Sequence, residues 1–600
     1  MKNMQIRSIK DVFLPTTSEE ASQRGWNSID ILLITGDAYV DHPSFGIPLI
    51  GRWLERLGYR VGIVARPRTD TVEDFKRFGR PTLFIGISSG AVDSMLNNYT
   101  ANKKTRSDDQ YAPGGKGGGR PDYAVSVYTE LARRAFPDTP ILLGGVEASL
   151  RRIAHYDYWM NKVRPSILKS ADADLLVYGQ GEKTVTEIAE ILSKSADETG
   201  YVSRGGNLYR KAIEKIQELR GVAYVTTKEA ARELEPRLTL PSFKEVANDK
   251  KKFARAAYFV ELEASPYNGK RLVQYHGDSA VVVNQAQLPI STEEFDSIYT
   301  LPFTREQHPS YTEKIPAGEM IKFSIASNRG CFGGCSFCAI TLHHGRIVSS
   351  RSEKSILQEL ESLNSVNGYR GQISDIGGPT ANMYRLDCVS KEIQSVCRKM
   401  SCVFPTICPH LVTDHTPQVK LLEKSRKVPG VKKISIGSGV RYDIAFADRK
   451  SGEKYLNDLI KHHVGGQLKI APEHVDDEVL YLMKKPRMEE FEKFVEFFKR
   501  STQEAGKEQY IIPYFISGFP GSTHGKMKKV HDFLTARRWN VQQVQAFIPT
   551  PMTLATAMYW SEMDPKTRKS LWVAREYKDR KEQQDLLQPW KERARKKGRG

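Results

Sequence analysis

Cys331-Phe332-Gly333-Gly334-Cys335-Ser336-Phe337-Cys338 decides how the rest of the chain is read. Three thiols stand there at C-x₃-C-x₂-C spacing. Ahead of them, Ile321-Lys322-Phe323-Ser324-Ile325-Ala326-Ser327 alternates as a strand does, and Gly330 follows. The thiols therefore fall on a loop that begins where a β-strand ends, with glycines that let the backbone wrap closely around a bound group. Thiolates are the usual ligands of iron–sulfur clusters. A 4Fe-4S cluster held by three cysteines keeps one iron without a protein ligand. An open metal position marks reactive rather than structural chemistry, as it does for zinc. From spacing alone, a zinc knuckle lacking its fourth ligand and a chance grouping stay open.

At 600 residues the chain has material for two to four domains with large cores. Hydrophobic residues at 40% and charged residues at 27% are those of an ordinary globular protein. No apolar run is long enough to span a membrane, and Met1 to Glu20 lacks the apolar core of a signal peptide. All seven cysteines lie between Cys331 and Cys408, which points to metal in a reducing compartment rather than to a disulfide scaffold. A cytoplasmic protein is expected. The net charge of +19, from 90 Lys+Arg against 71 Asp+Glu, suits a polyanionic partner such as RNA. The basic run Lys591 to Arg599 reads either as part of that surface or as a solvated terminus.

Upstream, Asp30 to Gly36, Val61 to Ala65, Thr82 to Ile87, Ile141 to Gly145 and Asp174 to Gly179 read as buried parallel strands. Helical patterns such as Ile50, Trp53, Leu54 and Leu57 separate them. This alternation predicts an α/β chain whose first domain, residues 1–190, is a doubly wound Rossmann-like sheet. Residues 191–315 are expected to be a connector or insert, with Asn284 to Ala317 extended. From 316 to 560 the βα rhythm returns. Candidate strands are 321–327, 372–376, 403–407, 432–437, 466–471, 510–517 and 541–547, which predicts a partial TIM-type (β/α)₆ barrel with the thiol loop at its carboxyl-end face. Residues 561–600 are expected to be a basic tail. The Gly-rich Gly114 to Arg120 is not a phosphate-binding loop of Walker type. It is read as a flexible segment whose Lys116 and Arg120 stand ready for an anion.

Cys388, Cys397, Cys402 and Cys408 follow at C-x₈-C-x₄-C-x₅-C spacing. Four thiolates complete the shell of a structural zinc or of a second iron–sulfur cluster. The alternative is ordinary core thiols, since free Cys is among the most buried residue types.

The thiol triad with an aromatic, Phe337, directly before its third cysteine resembles the radical S-adenosylmethionine (SAM) superfamily. The resemblance implies a 4Fe-4S cluster on Cys331, Cys335 and Cys338, with SAM chelating the open iron and cleaved to a 5′-deoxyadenosyl radical. It also implies SAM contacts from Phe337, from the backbone of Gly377-Gly378, from Ser438 and from Arg441. The first domain resembles the cobalamin-binding type, with Gly179-Gln180-Gly181-Glu182 as its closing signature. The D-x-H-x-x-G cobalt motif is absent, because Asp41-His42-Pro43-Ser44-Phe45-Gly46 has the wrong spacing. The segments GGVEASLR (Gly144 to Arg151), GGPTANMY (Gly377 to Tyr384), KIAPEH (Lys469 to His474) and EQYIIPYFI (Glu508 to Ile516) are similar to YgiQ-type radical SAM proteins. That resemblance covers about residues 25–560. It implies an enzyme of unknown substrate with an external electron donor and no membrane partner. RNA methyl- or methylthio-transfer is one alternative. An RNA-binding protein with a structural or redox-sensing cluster is another.

Overall fold

The computed structural model describes residues 13–541, 544–588 and 590. The first half is built on strands β1 (Ile31–Thr35), β2 (Val61–Ala65), β3 (Phe84–Ser88) and β4 (Ile141–Leu143). There follow a separate hairpin, β5 (His155–Asp157) with β6 (Lys162–Arg164), and then β7 (Leu175–Val177). Every residue of β1 and β3 is buried, which their unbroken runs of Ile, Leu and Phe require of strands covered on both faces. These strands lie parallel in the order β2-β1-β3-β4-β7. Helices such as Gly46–Arg56 and Ala124–Ala135 make the crossovers. The chain moves outward from β1 to β2 and then returns to β3 on the other side. The carboxyl ends of β1 and β3 therefore diverge into a crevice.

Residues 191–315, expected as a connector or insert, carry strands of their own. They contribute β8 (Val222–Thr227), β9 (Arg237–Leu240), β10 (Arg271–His276) and β11 (Ser279–Val283), which extend the same sheet to nine strands. β8 runs antiparallel to β7, with Leu176 opposite Ala223, and β11 and β10 continue antiparallel. Helices still separate β7 from β8, β8 from β9 and β9 from β10. The joins of β8 to β7 and of β11 to β8 are antiparallel, however, so the sheet continues without the parallel βαβ pattern. From Asn284 to Ile315 the chain forms no strand and its one helix is Thr292–Ile298; the helix Pro316–Ile321 follows.

The second half begins with β12 (Ser324–Ala326), β13 (Asn328–Arg329) and β14 (Ser349–Ser350). It continues with β15 (Gln372–Ile373), β16 (Asp375–Gly377), β17 (Lys433–Ile434), β18 (Gln467–Glu473), β19 (Tyr510–Ser517) and β20 (Gln545–Ala546). Parallel pairing makes two arcs. In one, β12 pairs with β16 and β15 with β17; in the other, β18 pairs with β19 and β19 with β20. The helix Met488–Glu504 buries Phe491, Phe494, Val495 and Phe498 as its spacing predicts. The sequence-based strand at 321–327 is shorter than expected, because the helix Pro316–Ile321 takes its start. No strand forms at 403–407, where Pro405 lacks a ladder donor and the backbone serves the neighbouring loops.

The expected tail is also different. The helix Tyr577–Leu586 packs on β19 and β20. Gln583 fixes it, accepting from Gly518 N at 2.8 Å and donating to Ser522 O at 2.6 Å. The basic run Lys591 to Arg599 lies outside the described residues. Among the described residues, no helix is long and apolar enough to cross a membrane.

Candidate functional site

The thiol loop hangs between two fixed points. β12 pairs with β16, and the short hairpin of β13 with β14 brings the chain back beneath the loop. Gly330 turns out of β13 with φ +82°, and a Cβ there would lie 2.1 Å from Ile347 O. The Cys331 amide donates to Gly345 O at 3.2 Å and that of Cys338 to Cys335 O at 3.1 Å. Cys338 then opens the helix Ala339–His344.

The thiols meet at Gly333. The place a Cβ would take there is 3.2 Å from Cys331 Sγ, 4.0 Å from Cys335 Sγ and 3.2 Å from Arg441 Nη1. Thr380 Oγ1 stands 3.7 Å from Cys331 Sγ. Burial pushes the Cys331 thiol up, and the Cys335 thiol beside it adds to this. Cys338 is pushed up to about 12, by burial first and then by Cys335. Two thiols held neutral by burial, Cys331 and Cys338, with Cys335 beside them, fit a group that brings its own positive charge, because a coordinating metal deprotonates its thiols outright. Among the described residues, no three His, Cys, Asp or Glu side chains are gathered around one point as a single ion would need. An ion with Zn–S bonds of ~2.3 Å would hold its sulfurs within about 4 Å of one another. A four-iron cluster is larger than one ion and sets its ligands further apart.

The expected SAM contacts lie around this loop in different states. Gly377 ends β16 against Ser438, whose Oγ would be 2.6 Å from a Cβ there. Ser438 Oγ donates to Asp375, which also accepts from Gly437 N at 2.8 Å. Burial holds the Asp375 carboxyl above the usual range. Gly378 abuts Asn328, with Asn328 O 2.5 Å from its would-be Cβ, so side chains are excluded at both glycines. Arg441 is 8% exposed and spends Nε and Nη2 on Asp443. Nη1 is the arm that reaches the thiol loop. Asn382 clamps the Arg441 backbone, accepting from its N and donating to its O, each at 2.8 Å. Phe337 packs edge-on against Phe519 at 6.2 Å, below the loop.

Glu473 and His474 at the end of β18 separate into two roles. Glu473 has φ +72° at a break in strand register, an uncommon backbone state for a side-chain-bearing residue. Its carboxyl lies 3.8 Å from Lys485 and is raised by burial. His474 is turned away. Its Nε2 lies 3.0 Å from Ser522 Oγ and its Nδ1 accepts from Asp476 N, so it is a structural residue. Sequence reasoning missed Asp375, Asn382, Asp443 and Lys485. Each is a lone polar residue with no spacing signal.

Two cavities flank the site. One, of about 2060 Å³, opens over Asp443 and Lys485 and is rimmed by Val403 to Ile407, Tyr481 and Trp572. The other, of about 440 Å³, is the crevice of the first sheet, floored by Gly86, Gly144 and Gly145 and closed by Ala339 and His343. His42 does not line it. It is fully buried, with Arg305 Nη1 3.2 Å from its Nε2. Arg120 is not a mobile cation either, since it is buried against Asp37. Lys116 is paired with Glu313.

The family model described as Radical SAM N-terminal matches residues 13–324, just over half of the chain. A model for a domain of unknown function matches 542–594. A UPF0313 protein of Rhodopseudomonas palustris is 48% identical over 558 residues, covering 92% of this chain and 82% of the relative. One from Methanocella arvoryzae is 47% identical over 572 residues, covering 95% and 92%. Among solved structures, the radical SAM methyltransferase TsrM of Kitasatospora setae with cobalamin and a [4Fe-4S] cluster bound is 13% identical. Its TM-score is 0.46, with 94% of this chain and 92% of that one covered. On its sequence relatives and its N-terminal domain, the chain belongs to the UPF0313 family of YgiQ-type radical SAM proteins.

Proposed function

We infer that the protein is a radical SAM enzyme acting on a substrate that enters through the 2060 Å³ cleft. The observation that carries this reading is the meeting of Cys331, Cys335 and Arg441 around side-chain-free Gly333, at the end of the first strand of the second half. Bound there, a 4Fe-4S cluster and SAM supply the one-electron reductive cleavage that yields a 5′-deoxyadenosyl radical, with the electron from an external donor. The chain's own residues hold and orient. Cys331, Cys335 and Cys338 ligate the cluster. The Gly377-Gly378 edge offers backbone atoms to the SAM amino group. Arg441 Nη1 takes the SAM carboxylate, with Asp443 fixing the guanidinium plane. Ser438, held by Asp375, meets a ribose hydroxyl. Glu473, opposite Lys485, is the group placed to hold or move a proton beside the cluster.

In this reading the two strand arcs are one partial (β/α)₆ barrel, and all these groups sit at its carboxyl ends. The cleft mixes Arg487, Lys493 and Lys526 with Glu478, Glu489 and Glu492, a balance that does not single out RNA. The substrate class is therefore left open to chemistry at C–H bonds in general. The test is anaerobic: reconstituted protein with SAM and dithionite should release 5′-deoxyadenosine, and Cys335→Ala should not. Release by the variant at the parent rate would falsify the assignment.

A further inference from the structure

Cys388, Cys397, Cys402 and Cys408 lie between β16 and β17, in a segment folded back on itself by its backbone. Cys388 bridges to Leu411, whose amide donates to Cys408 O at 2.9 Å, and the Cys408 amide donates to Cys402 O at 2.8 Å. Cys397 is tied in from outside, its carbonyl accepting from Arg346 Nη2 at 3.0 Å and from Asn268 Nδ2 at 3.2 Å.

The surroundings are cationic. Lys399 Nζ donates to Cys408 Sγ at 3.3 Å. Arg346 is 9% exposed, and its only hydrogen bond among the described residues is to the Cys397 carbonyl, while its Nε has no partner. The acid that acts on it, Glu261, is committed to Lys484. A guanidinium buried without an anion is costly. Neutral thiols do not answer that charge, but thiolates bound to a cluster do, since such a centre is anionic overall.

We propose that Cys388, Cys397, Cys402 and Cys408 ligate a second iron–sulfur cluster, whose negative charge is met by Arg346 and Lys399. A single zinc does not fit as well. The quartet, like the Cys331 triad, is not drawn around one point, and a cluster tolerates the wider setting. The second centre would adjoin the first, because Cys402 N donates to Phe332 O at 3.1 Å and Ser401 Oγ to Gly333 O at 2.8 Å. Cys331, Cys402 and Cys408 also share one apolar cluster with Phe332 and Val403.

The proposal does not depend on the SAM reaction, and its test reads metal rather than turnover. The full chain is reconstituted anaerobically with ferrous iron and sulfide. Iron, acid-labile sulfide and zinc are then counted per chain. The Cys331/Cys335/Cys338→Ala variant should keep iron and equimolar sulfide with the charge-transfer absorption of a cluster. In the converse variant, Cys388→Ser with Cys402→Ser, iron should fall to one cluster, and the cluster signal that SAM perturbs should remain. A folded triple variant holding no iron, or zinc alone, overturns the proposal. If the triple variant does not fold, the converse pair decides: iron in Cys388→Ser/Cys402→Ser equal to that of the parent chain overturns it as well.

Discussion

Single atoms at Gly330 and Gly333 separate a folding role from a binding role within one loop. At Gly330 a methyl group meets a backbone carbonyl at 2.1 Å in a left-handed conformation. Gly330→Ala is expected to cost at least about 1–3 kcal/mol and to lower the melting temperature. At Gly333 the methyl would press on Cys331 Sγ and Arg441 Nη1, which are side-chain atoms able to give way. Gly333→Ala should fold almost normally yet hold less iron, so iron content and melting temperature should move independently in the two variants. Arg441 poses a similar question about its ion pair with Asp443. Arg441→Met leaves Asp443 buried and unpaired, a loss of about 3–5 kcal/mol. Adding Asp443→Leu removes the stranded charge, so the double variant should recover much of that stability. SAM affinity should not return in the double variant, as measured by calorimetric titration of reconstituted protein. Recovery of both would mean that the arginine serves the fold alone.

At the scale of elements, what was legible in the sequence was whatever carries a period or a fixed spacing. The five parallel strands of the first sheet are unbroken apolar runs, and the thiol loop is a spacing motif; both were readable. β15, β16 and β17 have two or three residues each and lie at the candidate strands 372–376 and 432–437, so their positions were readable although their lengths were not. That β8 to β11 continue the first sheet was hidden, because an antiparallel join such as that of β8 to β7 leaves no local signal in the sequence. At the site, Cys331, Cys335, Gly377, Ser438 and Arg441 could be named in advance, whereas Asp375 and Asn382 could not. Their contacts to Ser438 and Arg441 span some sixty residues and leave no local trace. The helix Tyr577–Leu586 was taken for tail because it buries only Gln583 and so shows no apolar stripe. That one side chain carries the next prediction. Gln583→Ala strips a buried amide and a carbonyl of their partners, at a cost of about 1–3 kcal/mol. The segment it holds, Gly518-Phe519, is the support on which Phe337 packs. Melting temperature and iron content should therefore fall together, and an unchanged iron content would mean that Phe337 does not depend on this support.

Across the whole molecule, buried imidazoles stand with ion pairs such as Arg329 with Glu182 and Lys484 with Glu261 where the two halves meet. The helix Ala339–His344 leaves the thiol loop and drives Leu342 into the core of the first sheet, with His343 and His344 in the crevice beside it. Burial holds these imidazoles neutral, well below the ordinary histidine range for His343 and at about 4 for His344. His276 and His474 also stand at about 4, and His155 at about 3, each with burial as the first cause. In the unfolded chain these groups titrate near 6.5. Between 6.5 and 4 the unfolded state therefore binds protons that the folded state refuses, and stability rises with pH. Equivalently, stability is lost as pH falls from about 6.5 to about 4. Carboxylates held low, such as Glu20 at about 2, act at lower pH, whereas buried carboxyls held high, such as Asp375 and Glu473, act in the opposite sense, so a single imidazole must be isolated. His276 isolates the effect, because neither ring nitrogen has a partner and the ring stacks on Phe243 at 5.4 Å. His276→Phe removes a buried polar group without stranding another, so it should be neutral or stabilising at pH 7.5. At pH 5 it should gain about 2 kcal/mol relative to the parent, from the two pKa values of the histidine it replaces. His474→Gln is the contrast. It gives up bonds to Ser522 and Asp476, so it should lose stability at pH 7.5 as well. Urea midpoints at the two pH values decide the matter. A His276→Phe variant shifted equally at both would show that the acid sensitivity of the fold does not arise from this imidazole.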